Sequence, residues 1–340
     1  MEKFQILGKR PDELESWIKD QGMPTYTVKQ IIEWVYTKRV RNFENMTNLS
    51  KSNRSILVER ADLGLSKPVE TSLSSDGTIK YLFKTIRNNF IESVYIPENN
   101  RSTLCISSQV GCKMGCQFCM TGRMGFIAQL SASEILNQIL SIPESNNLTN
   151  IVFMGMGEPM DNIDEVIRAT EILTSDDIFA WSPKRITVSS IGVNPGLIRF
   201  LNGSKCHLAI SLHTPLPVQR LSWMPAEKAW PLEETIKILR TVDFSKQRRL
   251  SFEYIVFKGL NDTPAHAKGL IALLKGLECR VNLIRFHAIP DTHFKSPDEM
   301  TVQAFADYLN VNGLKTTIRK SRGEDIKAAC GLLSAKKIPL

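Results

Sequence analysis

Near residue 101 the chain changes rhythm, and this restricts the fold more than any other feature. From there to the end, short β-rich runs alternate with helical ones. Strand candidates are residues 103–109, 150–154, 185–190, 207–212, 251–257, 281–286 and 314–319. Helical patterns fall between them at 131–140, 232–239 and 264–274, the first opening on Ser-Ala-Ser-Glu, a capping-box pattern. A strand followed by a helix, repeated six or so times, requires parallel strands joined by crossover helices. The chain is α/β, and alternation alone leaves an open doubly wound sheet and a barrel equally available. With 340 residues, 42% of them hydrophobic, the chain can bury the core of one large domain or two ordinary ones. No run approaches the ~18 consecutive apolar residues of a membrane span. The first fifteen residues lack the apolar stretch of a signal peptide, so a cytoplasmic location away from membranes is expected.

Upstream, residues 1–70 read as a small helical unit. Residues 11–20 place Pro11 at a first helical position. Residues 27–39 repeat Val28, Ile31, Ile32 and Val35 at helical spacing, with Thr27 as the expected N-cap. Residues 71–100 read as a β connector, with strands 78–86 and 90–98 flanking the polar turn 87–89. Residues 101–340 form the third region.

The chain has seven cysteines, and four lie between Cys105 and Cys119. An odd number of thiols does not describe a disulfide framework. Cys112, Cys116 and Cys119 follow the spacing C-x3-C-x2-C, with Phe118 just before the last. Three thiolates on one loop bind a soft metal or an iron–sulfur cluster. A structural zinc would require a fourth donor. Cys105 is available, but it lies seven residues upstream in a predicted strand. On a four-iron cluster, three protein ligands leave one iron open, which suits a radical S-adenosylmethionine (SAM) enzyme. The amino and carboxylate groups of SAM chelate that iron, and cleavage of a C–S bond yields a 5′-deoxyadenosyl radical. The loop follows the first strand of the series, at the end of a parallel sheet where active sites gather.

These motifs, with LCISSQVGC, FMGMGEPMDN, ITVSSIGV, LAISLHTP, VNLIRFH and AACG in that order, make the chain resemble the RlmN/Cfr family of radical SAM RNA methyltransferases, and its RlmN-type members above all. The likeness runs from residue 94 to residue 331 and includes a helical N-terminal unit. It implies a radical SAM partial (β/α)6 barrel of the TIM type behind an N-terminal accessory domain. It further implies methylation of adenine carbon 2 in 23S ribosomal RNA and in tRNA, with a 4Fe-4S cluster on Cys112, Cys116 and Cys119. Two SAM molecules would serve each turnover. The partners implied are the two RNAs and an electron donor such as flavodoxin or ferredoxin, with the protein acting as a monomer.

The resemblance also assigns roles. Gly157 and Glu158 would contact the amino end of SAM; taken alone, Gly155–Pro159 is also a tight turn. Ser189, Ser211, Leu212 and His213 would contact its ribose and neighbouring groups, although a strand-end histidine is ordinarily structural. His287 stands where relatives commonly carry Asn, and a neutral imidazole cannot donate and accept at one atom as an amide group can across its two. Cys330 would carry the methyl group as S-methylcysteine. Its methylene radical would add to the electron-poor ring carbon. Glu98 would take the ring proton, its alternative being an ordinary exposed carboxylate before a turn. Cys105 would attack the Cys330 sulfur, releasing product through a transient disulfide. Cys206 and Cys279 read as core residues.

The formal charge is +8, and residues 315–340 hold seven Lys/Arg against two acids. Basic clusters at 38–41, at 246–249 and at Lys336–Lys337 suit RNA phosphate or a solvated face. Two other readings stay open: a Cfr-type enzyme acting at adenine carbon 8, and a non-catalytic iron–sulfur RNA-binding paralogue.

Overall fold

The structure is a computed structural model that describes residues 3–244 and 248–334. Seven parallel strands form its centre: β1 (Arg101–Cys105), β2 (Asn150–Phe153), β3 (Ile186–Ser190), β4 (His207–Ser211), β5 (Leu250–Val256), β6 (Cys279–Arg285) and β7 (Thr316–Arg319). They lie side by side in sequence order. Helices α1 (Ala132–Leu140), α2 (Ile163–Thr174), α3 (Gly196–Gly203), α4 (Leu232–Leu239), α5 (Pro264–Leu274) and α6 (Glu299–Val311) cross between successive strands. This is a (β/α)6 arrangement with a seventh strand. Among the described residues β7 is an edge, so the barrel is partial.

Period-two alternation sets the two faces of this sheet. Leu104, Ile151, Phe153, Val188, Leu208, Ile210, Phe252, Tyr254, Val281 and Leu283 point to the helices and are almost fully buried. The opposite, inward register carries polar and charged residues instead. Arg101, Thr103 and Cys105 come from β1, Arg249 (just before β5), Ser251 and Glu253 from β5, and Thr317 and Arg319 from β7. The barrel interior is therefore a cavity of about 500 Å³, walled by these groups and by apolar side chains such as Val152, Met154 and Ile284, rather than a filled core.

Three antiparallel strands, Glu70–Leu73, Ile79–Lys84 and Phe90–Glu98, extend the same sheet beyond β1. The strand expected at 103–109 is in fact two. β1 ends at Cys105, and residues 109–112 pair instead with Gly125–Gln129. Cys105 thus closes a strand rather than lying within one. The capping box on α1 is present: Ser131 Oγ accepts from the Glu134 N–H at 3.2 Å, and Glu134 Oε2 from the Ser131 N–H at 2.9 Å.

In the N-terminal unit the helix Pro11–Asp20 forms with Pro at its start. The second helix covers Thr27–Ile32 and continues as a π-helical turn through Thr37. Thr27 is not its N-cap. That place belongs to Tyr26, already helical in backbone, and the Thr27 hydroxyl is buried without a partner. The unit docks on α2 through paired charges: Arg10 with Glu171, and Arg168 with Glu13, each at 2.6 Å. Arg39 and Arg41, from the basic cluster at 38–41, also face inward. Arg39 donates to Ser145, and Arg41 to Ser141 and to the Leu140 carbonyl at the C-terminus of α1. Helix C-terminal carbonyls attract cations, so these arginines hold the unit to the barrel rather than standing free for phosphate. Lys38 pairs with Glu33 and lies over the Trp34 ring. Lys246, Gln247, Lys336 and Lys337 lie outside the described residues.

Candidate active site

The cysteine loop leaves the end of β1 and is braced by the ribbon Gln109–Cys112 and Gly125–Gln129. Gly111, at φ +72°, permits this: a Cβ there would sit 1.9 Å from the Gly125 carbonyl oxygen. Burial pushes the Cys112 thiol up to about 12 and the Cys116 and Cys119 thiols upward too; Cys119 raises Cys112 and Cys116 further, and Cys330 raises Cys119. Three buried thiols that sense one another can all ionise only if a cation compensates them, which fits an iron–sulfur cluster. Among the described residues no three His, Cys, Asp or Glu side chains close around a single ion. Cys105 is not a fourth donor to the set. Its electrostatic partners are Cys330 and Arg319.

Cys330 is brought there by a strap, residues 321–334. At its start, Gly323 N–H donates to Asp76, and Asp325 accepts from Ser74 and Ser75. At its end it is tied to the cysteine loop: Met120 N–H donates to the Gly331 carbonyl at 2.8 Å, and the Thr121 hydroxyl to the Leu333 carbonyl at 2.7 Å. Between these anchors Cys330 is exposed to the cavity, which Cys105 and Cys119 also line. Burial and the neighbouring Cys330 push Cys105 up to about 12, while the Arg319 guanidinium opposes them. Arg319 is itself held by Glu253 at 3.4 Å, and Glu253 accepts from Asn282 at 2.7 Å.

Gly157 and Glu158 form the turn after β2. Gly157 has φ +100°, and a Cβ would lie 2.5 Å from that of Gln109. Glu158 is 4% exposed. Its Oε1 accepts from Met160 N–H and its Oε2 from Ile191 N–H, both at 3.0 Å, tying this turn to the end of β3. Burial still raises its carboxyl to about 7. Ser189 and Ser211 occupy inward positions at the ends of β3 and β4. Leu212 and His213 follow, both donating backbone N–H to the Glu253 carbonyl. His213 is buried, its Nδ1 accepts from Ile255 N–H at 3.0 Å, and burial lowers it to about 3. Its ring meets the edge of Phe118 at 4.9 Å, so the histidine braces the cysteine loop. His287 lines the cavity between Ser321 and Glu324, at 3.3 and 3.4 Å.

Glu98 lines the same cavity as Cys105 and Cys330, but from its other end. In the antiparallel pairing of Phe90–Glu98 with β1, Val94 lies opposite Cys105 and Glu98 opposite Arg101. Four strand residues separate it from Cys105, roughly 13 Å. A second carboxylate touches the strap that carries Cys330. Glu92 is 5% exposed, pairs with Lys80 at 3.0 Å, and accepts from the Ser334 N–H of the strap at 2.8 Å. Its own carbonyl accepts from Ser107, just beyond β1. A lone acid in the apolar run Phe90-Ile-Glu-Ser-Val-Tyr-Ile was the sequence signal for it.

Arg220 is a second site residue that sequence reasoning missed. It is 0% exposed, pairs with Glu227, and donates to the carbonyls of Ile191, Ser211 and Leu212. It thereby fixes the ends of β3 and β4, and its charge opposes the upward shift of Cys116. Cys206 is buried beneath the barrel, as a core residue should be, while Cys279 is only partly covered.

Residues 106–268 match the Radical SAM superfamily, and residues 4–63 match the ribosomal RNA large subunit methyltransferase N-terminal domain. The chain is 60% identical to the "Probable dual-specificity RNA methyltransferase RlmN" of Phocaeicola vulgatus, over 98% of this chain and 96% of that one. It is 43% identical to the dual-specificity RNA methyltransferase RlmN of Syntrophus aciditrophicus, over 99% and 98%. The crystal structure of a radical SAM methyltransferase from Sphaerobacter thermophilus superposes with a TM-score of 0.93 at 37% identity, covering 98% of this chain and all of that one.

Proposed function

The chain belongs to the RlmN family of radical SAM RNA methyltransferases, and we propose that it methylates carbon 2 of adenine in both 23S ribosomal RNA and tRNA through an S-methylated Cys330. The observation that carries this reading is the strap, which ties Cys330 to the cysteine loop at one end and exposes it to Cys105. A methyl carrier has to meet both the radical source and a resolving thiol, and Cys330 is placed between them.

Cys112, Cys116 and Cys119 hold the 4Fe-4S cluster. When bound, cluster and SAM supply a 5′-deoxyadenosyl radical, the electron coming from a donor such as flavodoxin or ferredoxin. Every other step falls to side chains. The Cys330 thiolate, beside Arg319, takes a methyl group from a first SAM. After loss of one hydrogen atom from that methyl, its carbon bonds to the ring, leaving RNA and protein joined. Glu92, buried against the strap, accepts the ring proton as general base, while the adduct radical gives up one electron, replacing the one that the donor spent. Cys105 then attacks the Cys330 sulfur. The S–C bond breaks, an S–S bond forms, the released CH2 carbon takes up a proton to become the methyl group, and the methylated base departs. Gly157, Glu158, Ser189, Ser211, Leu212 and His287 surround the SAM, with His213 holding the loop behind it. The protein works as a cytoplasmic monomer. Among the described residues no helix is long and apolar enough to cross a membrane.

The test is reconstitution of the cluster-loaded enzyme with a ribosomal RNA fragment and with tRNA, followed by mass spectrometry of the nucleosides. 2-Methyladenosine from both is expected. 8-Methyladenosine alone would overturn the assignment to carbon 2.

A further inference from the structure

The inward face of the barrel has a second polar end that the methylation scheme leaves unused. At the N-terminal ends of the strands, Arg101, His207, Arg249 and Arg280 line the cavity, on the side away from Cys105 and Cys330. Arg101 enters from β1 and acts electrostatically on Arg249 beside β5, so the ring spans the interior. Arg280 leads in from β6, opposite Ser251. His207 begins β4, and its Nδ1 accepts from the Arg249 backbone N–H at 2.9 Å, which leaves the ring proton on Nε2 as a donor.

None of these three arginines has an ion pair or a side-chain hydrogen bond to an acid among the described residues. The nearest carboxylate on the cavity wall is Glu98, and it leaves the ring with a surplus of positive charge. Lys184 and Arg248 add to the field from outside the cavity. Their neighbours feel this charge. Burial, then Arg249, Lys184, Arg280 and Arg248, depress His207 to about 4, and burial, then Arg280 and Arg101, lower Arg249. Elsewhere on this barrel Arg319 has Glu253 and Arg220 has Glu227, although Arg322, on the strap side of the same cavity, also has a guanidinium Nε without a partner. Unpaired guanidinium groups gathered around a concave wall repel one another and focus a positive field, which a bound anion relieves.

We propose that the N-terminal mouth of the barrel, formed by Arg101, His207, Arg249 and Arg280, is an oxyanion site that takes a phosphate group. Guanidinium forks match phosphate oxygens in pairs, and the imidazole Nε2–H adds a neutral donor. The source of that phosphate is free inorganic phosphate or a terminal phosphate of RNA. The two share this chemistry, and the experiment separates them.

The cluster-loaded enzyme is titrated with labelled inorganic phosphate in equilibrium dialysis, and its thermal midpoint is followed in phosphate and in chloride at matched ionic strength. The wild type should bind phosphate and melt higher in it than in chloride. Arg249→Gln with Arg280→Gln should bind phosphate at least tenfold more weakly and lose the difference between salts. Arg280→Gln alone, a milder change, should weaken binding in the same direction. A short RNA with a 5′-phosphate, compared with its dephosphorylated form, identifies the source. If only the phosphorylated RNA displaces the label, the site takes RNA ends; if neither does, it takes free phosphate. Equal stabilisation by chloride, or unchanged phosphate binding in both variants, would overturn the proposal.

Discussion

The two ends of one barrel interior hold the same residue type in opposite circumstances. At the C-terminal end, Arg220 and Arg319 are each matched by a carboxylate, and Arg220 also by three carbonyls. At the N-terminal end, Arg101, Arg249 and Arg280 face a cavity whose two wall acids are Glu98 and Glu253, and Glu253 is taken by Arg319 and Asn282. The first arrangement is a finished one, in which charge positions loops and thiols. The second is positive charge waiting for a ligand. Side-chain alternation along parallel strands builds both, so what differs is the partner that the loops supply. At the C-terminal end, βα loops and the strap fold back over the opening and bring acids and carbonyls. Nothing comparable covers the other end among the described residues.

The largest expected effect lies wholly at the C-terminal end. Cys330→Ala should reduce methylation to background, with no covalent RNA adduct. Cys105→Ala should also stop turnover but trap the protein–RNA adduct, visible on a denaturing gel. An adduct formed equally by both variants would sink the methyl-cysteine scheme, and with it the division of labour between the two ends.

Next in size is a direct contest between ends. Glu92→Gln removes the buried carboxylate beside the strap and should lower the methylation rate by roughly 10²–10⁴-fold, the usual worth of a general base. Glu98→Gln should leave the rate near wild type. Single-turnover rates with both variants decide it, and the reverse order would place the chemistry at the wrong end of the cavity.

That contest also marks how far the sequence could be read. The βα rhythm, the cysteine spacing and the helices at 11–20, 232–239 and 264–274 were legible because each is a local pattern that packing does not overturn. The choice between two candidate proton acceptors was not. Glu98 and Glu92 share one strand, and only the antiparallel register, with Val94 opposite Cys105, says which of them approaches the thiols. Arg39 and Arg41 misled for the same reason: a basic run reads as a surface until the carbonyls it meets are known. Arg220 gave no signal, because three of its partners are backbone carbonyls, one of them on the separate loop at Ile191. The inward polar register was written in the strands, in Arg101-Ser-Thr-Leu-Cys for example, but a parallel strand is expected to be apolar on both faces.

Stability provides a smaller and sharper comparison of the arginines. Arg220→Met leaves Glu227 buried without its cation and should cost about 3–5 kcal/mol, read as a lower denaturation midpoint. Arg280→Gln, measured in chloride, removes like-charge repulsion and should change stability by no more than about 0.5 kcal/mol, or raise it slightly. A large loss at Arg280 would mean that the N-terminal ring is as fully paired as the C-terminal one.

The smallest effect is a pH dependence at Glu158. Burial raises its carboxyl from 4.5 to about 7, so at pH 6 the group is mostly neutral in the folded chain and ionised in the unfolded one. A raised folded value gives stability that is present in full below 4.5 and is lost as pH rises toward 7. An N–H donor from the amino end of SAM favours the ionised form, so binding expels the proton wherever the free enzyme still holds it. SAM affinity should therefore climb between pH 5 and pH 7, by up to about tenfold per unit, and flatten above 7. Equilibrium dialysis with SAM across this range, paired with Glu158→Gln, is the check. The variant should bind more weakly at pH 8 and show a flat profile. A wild-type profile already flat from pH 5 would mean that the backbone donors of Met160 and Ile191 keep Glu158 ionised without help from the ligand.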